Sequence, residues 1–215
     1  MIVAAGGQPG APSLLAPLAG RPIVEHSIDA FTAAPEVDEV VLVAPPELAR
    51  GLPAGRVTLI AGTAGARAAS VGRAVEALGG TECHLLIHDA ARPLISPQVI
   101  TDCAAALGSA DAVCAAVPAS DTMVTVEKDI IDKRPERSRL RRREYPQGFR
   151  LPVIRRGYEL ALADPGFRPT DDCGVLLRYL PDVPVRLVPG SGQGFPVTSP
   201  LDLDIAEAIL QTQLR

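Results

Sequence analysis

His88, Asp89 and Arg92 fall within five residues at the end of an apolar run, in the stretch IHDAARP from Ile87 to Pro93. A carboxylate can hold a hydroxyl or a divalent cation, and a guanidinium pairs bidentately with phosphate oxygens, so the stretch suits a phosphorylated ligand. The plainer alternative is a local Asp89–Arg92 ion pair that closes the loop. A second candidate is AAGGQPGAPS, Ala4 to Ser13, whose glycines let backbone N–H groups close on an anion, although it contains neither Lys nor Arg. Thr170, Asp171 and Asp172 open a predicted helix with adjacent carboxylates that suit a divalent cation or, more simply, the helix dipole. Ser120, Asp121 and Thr122 end another apolar run and by themselves signal a turn or a cap.

The charge distribution points the same way. The formal net charge of −4 argues against general nucleic-acid binding, which shows as a basic domain. Between Lys128 and Arg143, however, KDIIDKRPERSRLRRR holds eight basic residues against three acidic ones, including both lysines of the chain. Such a ribbon is either a solvated face or a surface that meets phosphates. Cys83, Cys103, Cys114 and Cys173 are scattered without metal-ligand or disulfide spacing, and all four read as small core residues.

Positioning these groups requires a framework, and the apolar pattern supplies one. MIVAAGG, EVVLVAPP, RVTLIAG, HLLIHDAA and AVCAAVPAS read as short buried strands; PIVEHSIDAFTAA, ASVGRAVEAL and PQVITDCAAAL between them read as helices. The alternation predicts an α/β fold of parallel strands joined by right-handed crossovers, with ligands beyond the strands' carboxyl ends. The glycine loop and HDAARP both fall there. At 215 residues one domain spanning 1–215 is expected. After Val126 the alternation stops for about twenty residues, too long for an ordinary connection, which predicts a protruding arm built as a hairpin before YPQGFRLPVIRRGYELAL resumes a helix. With neither a signal-peptide pattern nor an apolar run near the ~20 residues of a membrane span, a soluble cytoplasmic protein without membrane partners is expected.

In this order the pieces resemble one family. AAG at 4–6, LAGRPIVEHSIDAF at 18–31, RAASV at 67–71, HDAARP at 88–93, VPASDT at 117–122, RSRLRRREYPQGF at 137–149, TDD at 170–172 and VTSPLDLDIAEAIL at 197–210 are similar to the 2-C-methyl-D-erythritol 4-phosphate cytidylyltransferases of non-mevalonate isoprenoid synthesis. The resemblance implies the family's Rossmann-like nucleotidyltransferase three-layer sandwich and a homodimer whose arm, 123–146, reaches the neighbour's site. It implies CTP and a sugar-alcohol phosphate as substrates, either methylerythritol phosphate or ribitol phosphate, with Mg²⁺ as cofactor and pyrophosphate as product. Ala4, Ala5, Gly6, Gly7 and Ser70, with Asp89, would bind the nucleotide; Asp89, Arg92 and Thr170 would meet the acceptor phosphate; Thr122 and Arg137 would grip it from the partner's arm. Asp89, Arg92 and Arg137 would be catalytic, and Asp89 the one candidate metal ligand.

The departures from the family cluster on the triphosphate side. The family loop AAGxGxRxGxxxPK is shortened here, its Arg is absent and Ser13 stands in the lysine position; in the pattern NxKxT, Pro196 replaces the lysine. Tyr145 replaces the usual Thr before PQ, Val124 a basic residue, and Thr63–Ala64 a pair of glycines. In phosphoryl transfer such cations steady the leaving group, and one is worth roughly 10³ to 10⁵ in rate. Two functions therefore follow. One is an active cytidylyltransferase whose missing charge comes from Mg²⁺ and from Arg21, Arg67 or Arg73. The other is a catalytically impaired paralogue acting as a binding or partner subunit. A dinucleotide site is disfavoured, because AGGQPG lacks the GxGxxG spacing and Glu25 lies inside a helical pattern.

Overall fold

In the computed structural model, which describes residues 1–4, 11–52, 57–62, 67–80, 82–166 and 171–213, the elements run β1 (Ile2–Val3), β2 (Pro17–Leu18), β3 (Arg21–Pro22), α1 (Ile23–Thr32), β4 (Val41–Ala44), α2 (Pro46–Ala49), β5 (Thr58–Ala61), α3 (Arg67–Ala77), β6 (His84–Asp89), α4 (Pro97–Leu107) and β7 (Ala112–Pro118). They continue with β8 (Thr125–Glu127), β9 (Ile130–Lys133), a 3-10 turn at Arg137–Arg139, β10 (Arg141–Arg150), α5 (Leu151–Ala163), α6 (Asp172–Tyr179), β11 (Val185–Pro189) and α7 (Pro200–Gln213). Seven strands form the central sheet in the order β11-β7-β10-β6-β1-β4-β5.

Side-chain alternation with a period of two divides the strands between two cores. Val3, Val43, Ile87 and Cys114 face α3, α5 and α6, while Ile2, Leu42, Val113 and Ala115 face α1 and α4. Each fully buried Leu, Ile or Phe contributes about 1.5–3 kcal/mol, so these layers fix where the strand ends stand. A third, smaller cluster of Leu18, Ile23, Leu94, Val197 and Ala206 docks α7. That helix starts with reciprocal bonds: Asp202 N–H donates to the Ser199 hydroxyl at 3.2 Å, and Ser199 N–H donates to the Asp202 carboxylate at 2.9 Å.

The sheet is mixed, not all-parallel. The ten residues Arg141–Arg150, expected to belong partly to the arm and partly to the following helix, form β10, antiparallel to both β6 and β7. The strand was hidden because it carries few apolar residues; its buried polar ones, Glu144 and Gln147, accept hydrogen bonds mostly from partners distant in the chain. Gln147 accepts the N–H groups of Asp172 and Cys173 at 3.0 and 2.8 Å, and Glu144 pairs with Arg142 at 2.9 Å. Its register shifts between Arg143 and Gln147, re-aiming Glu144, Tyr145 and Pro146.

The arm itself is the hairpin β8–β9, turned through Lys128 and Asp129, both with positive φ. Ala119 N–H to the Leu140 carbonyl, 3.2 Å, closes its base. Cys103, Cys114 and Cys173 are buried as expected, but Cys83 is exposed, because it precedes β6 where that strand emerges into solvent. No helix among the described residues is long and apolar enough to cross a membrane.

Candidate active site

Parallel pairing places the ends of β1 and β6 side by side, with Val3 opposite Asp89, and Ala90 N–H donates to the Val3 carbonyl at 3.0 Å. Ala4, the first residue of the glycine loop, is thus adjacent to the Asp89–Arg92 turn. It is anchored by its own N–H to the Val43 carbonyl at 2.8 Å. Asp89 folds the turn: one carboxylate oxygen accepts Ala91 N–H at 3.0 Å, and the other lies 3.5 Å from Arg92 Nε.

The local Asp89–Arg92 ion pair is therefore present, but it is long. Arg92 Nε–H has no hydrogen-bond acceptor, and a sister N–H donates to the Gly194 carbonyl. His88 and Ser27 reach the Arg92 carbonyl at 3.1 and 3.4 Å. Burial pushes the His88 pKa down to about 3, so the ring is neutral, and its donation to that carbonyl through Nε2 leaves Nδ1 without a donor.

The segment from Gly190 to Thr198 lies against this turn. Val197 N–H donates to the Ala91 carbonyl at 2.8 Å, which sets Pro196, the lysine position of the resemblance, beside the Asp89–Arg92 turn with no charge to offer. Glu144 fastens the other end, accepting Ser191 N–H and Gly192 N–H at 3.1 and 3.4 Å. A Cβ at Gly190 would run into that carboxylate, so glycine is required there by contact. Sequence reasoning gave Glu144 no role; an acid following three arginines in a strand was its only signal.

The adjacent carboxylates separate. Asp171 caps α6, accepting Gly174 N–H at 2.6 Å, and pairs with Arg143; the helix-dipole reading holds for it. Asp172 is fully buried, takes Arg67 bidentately at 3.0 and 2.6 Å, and accepts the Tyr158 hydroxyl at 2.6 Å. Burial opposes the Arg67 charge, but Asp172 outweighs it and holds the guanidinium pKa above its ordinary value. Burial, then the Asp172 charge, pushes the Tyr158 pKa well up.

Arg67 and Arg21 are therefore not spare cations. Arg21 is bound to Glu25 at 3.1 Å and to Asp29. Arg73 is exposed on α3 and has an interaction partner of its own. Ser70 is fully buried in α3, and it too is engaged.

Thr122 and Arg137 are exposed at the base of the arm, Arg137 donating to the Ser120 carbonyl at 3.2 Å. Among the described residues no hydrogen bond or ion pair joins them to Asp89 or Arg92 of the same chain. Ala5, Gly6, Gly7 and Thr170 lie outside the described residues. A cleft of about 870 Å³ opens at the opposite, amino ends of the strands near Val40, Thr58, Cys83 and His84. It holds none of these groups, and in open α/β sheets ligands bind at the carboxyl ends.

Comparison with known proteins agrees with this geometry. The family model described as IspD, 2-C-methyl-D-erythritol 4-phosphate cytidylyltransferase, matches residues 1–212. A cytidylyltransferase of that name from Thermobifida fusca is 47% identical, covering 94% of this chain and 86% of its own. Its counterpart from Frankia casuarinae is 39% identical over 94% of this chain and 75% of its own. The crystal structure of 4-diphosphocytidyl-2C-methyl-D-erythritol synthase from Anaerococcus prevotii superimposes with a TM-score of 0.85 at 26% identity, covering 98% of this chain and 96% of that one. With the Asp89–Arg92 turn beside the end of β1 and a family match running almost end to end, the chain belongs to the 2-C-methyl-D-erythritol 4-phosphate cytidylyltransferase family.

Proposed function

We propose that the protein transfers CMP from CTP to 2-C-methyl-D-erythritol 4-phosphate, in the cytoplasm and as a step of non-mevalonate isoprenoid synthesis. The observation that carries this reading is the under-committed Arg92 on the Asp89 turn, at the carboxyl ends of β1 and β6, in a chain matched by the family model over residues 1–212. An oxygen of the acceptor phosphate attacks the α-phosphorus of CTP, a new P–O bond forms, the α–β bridging P–O bond breaks, and pyrophosphate leaves. The protein's work is to position two polyanions and to neutralise them.

Arg92, whose side chain is still partly exposed, offers its guanidinium charge to the acceptor phosphate. Ala4, with Ala5, Gly6, Gly7 and Ser70, binds the nucleotide, while Thr170 from the same chain and Thr122 and Arg137 from a partner's arm complete the acceptor site. Mg²⁺ sites on nucleotides need only one or two carboxylates plus phosphate oxygens, and Asp89, with a partly exposed carboxylate, fits that donor set. Bound there, Mg²⁺ supplies charge to the triphosphate, which Ser13 and Pro196 do not. The impaired-paralogue reading is not favoured, since the family match spans residues 1–212 and Asp89, Arg92, Thr122, Arg137 and Thr170 are all retained.

The arm exposes Met123, Val124, Val126, Ile130 and Ile131, an apolar strip suited to a second copy of the chain. Sedimentation should show a dimer, and a monomer at micromolar concentration would remove the arm from the site. The function is tested by pyrophosphate release from CTP and Mg²⁺ with methylerythritol phosphate, ribitol phosphate serving as competitor. Release with methylerythritol phosphate supports the reading, and its absence with both acceptors contradicts it.

A further inference from the structure

Tyr145 is the residue at the site that neither the family pattern nor the proposed chemistry accounts for. It sits in the irregular part of β10, its side chain buried, with the Arg92 guanidinium carbon 4.9 Å from its ring centroid and that of Arg67 at 5.8 Å. His88 meets the ring edge-on at 6.2 Å. The two arginines differ in how they are held. Arg67 is locked bidentately to Asp172, whereas Arg92 has one carbonyl bond, a carboxylate 3.5 Å away and an Nε–H with no acceptor. Polar contacts alone leave the Arg92 fork free to swing. The ring face supplies the remaining constraint, attracting the cation without using any of its N–H donors.

We propose that Tyr145 is a positioning residue that acts through Arg92: its ring holds the guanidinium flat and oriented, so that its partly exposed charge is presented to the acceptor's phosphate. A carboxylate could hold Arg92 as firmly, but it would neutralise the charge that the phosphate needs, as Asp172 does for Arg67. In a site short of lysines, an aromatic support keeps the cation both fixed and charged. The hydroxyl has no part in this; among the described residues no protein group is hydrogen-bonded to it.

The inference rests on the reading that Arg92 binds the acceptor phosphate, and a double-mutant cycle separates the two. Kinetics are measured with CTP and methylerythritol phosphate for wild type, Tyr145→Phe, Tyr145→Leu, Arg92→Ala and the Tyr145→Leu/Arg92→Ala pair. Tyr145→Leu should raise the acceptor KM about tenfold, the scale of a desolvated cation–π contact, with the KM for CTP unchanged. Tyr145→Phe should stay within about twofold of wild type, and the Leu effect should vanish in the Arg92→Ala background.

A Leu effect that persists without Arg92, or a Phe variant as impaired as the Leu variant, would overturn the proposal while leaving the role of Arg92 intact. An acceptor KM unmoved by Arg92→Ala would instead overturn that underlying role, and the proposal with it. Should Tyr145→Leu not fold, phenylalanines of increasing fluorination at position 145 keep the shape while weakening the ring's attraction for cations. Acceptor KM should then climb with fluorine content, and a flat series would contradict the proposal.

Discussion

Arg92 keeps hydrogen-bonding capacity that a purely structural ion pair would have used up, and His88 fixes the backbone from which it projects. His88 is fully buried and neutral, its pKa pushed down to about 3 from 6.5 chiefly by burial. The unfolded chain binds a proton at this ring below 6.5 and the folded chain does not, so stability is lost as pH falls from 6.5 toward 3. Between about pH 7 and about pH 5, urea unfolding of metal-free wild type should lose about 2 kcal/mol more than that of His88→Gln; equal losses would contradict the buried neutral ring.

The neighbouring Pro196 supports a second expectation. Pro196→Lys should raise kcat/KM by about tenfold or more, because it returns a cation to the transferring phosphates. An unchanged or lower rate would show that this position does not face them. At this scale the sequence was legible where residue types were unusual, as in HDAARP. It marked Tyr145 only as a departure before PQ, without a role, and was silent on the commitment of Arg21 and Arg67, since an ion pair such as Arg67–Asp172 joins residues 105 apart in the chain.

Among the elements, α3, α5, α6 and β10 are bound together by Asp172. Arg67 reaches it from α3, Tyr158 from α5, and Gln147 of β10 holds the backbone N–H beside it. Removing one charge leaves the other buried and unpaired. Asp172→Asn should therefore cost about 3 kcal/mol or more in urea unfolding, and pairing it with Arg67→Met should recover most of the loss. A single-variant loss under about 1 kcal/mol would mean that water already screens the pair.

The helices α1, α3 and α4 and the parallel strands β1, β4, β5, β6 and β7 were readable from period alone, whereas the parallel β11 at Val185–Pro189 was not. Nor was β10, because it is rich in polar residues, and those of its inner part, Arg143, Glu144 and Gln147, take partners distant in the chain. Its antiparallel course is also what lets the arm leave from the carboxyl edge of the sheet, where the site is.

Across the whole molecule, the two halves of the site have fared differently. The proposed acceptor half keeps the Asp89 turn and Arg92, while the proposed triphosphate half carries Ser13 and Pro196 where the family pattern has lysines. In the proposed reaction the leaving-group charge would then fall to Mg²⁺, on which turnover should depend. The most direct test is phosphorus NMR of the purified protein with CTP, methylerythritol phosphate and Mg²⁺. The expected result is disappearance of the triphosphate signals with equal formation of pyrophosphate and a cytidine diphosphate ester of the acceptor, abolished by a chelator. Unchanged CTP in the presence of acceptor and Mg²⁺ would contradict the account.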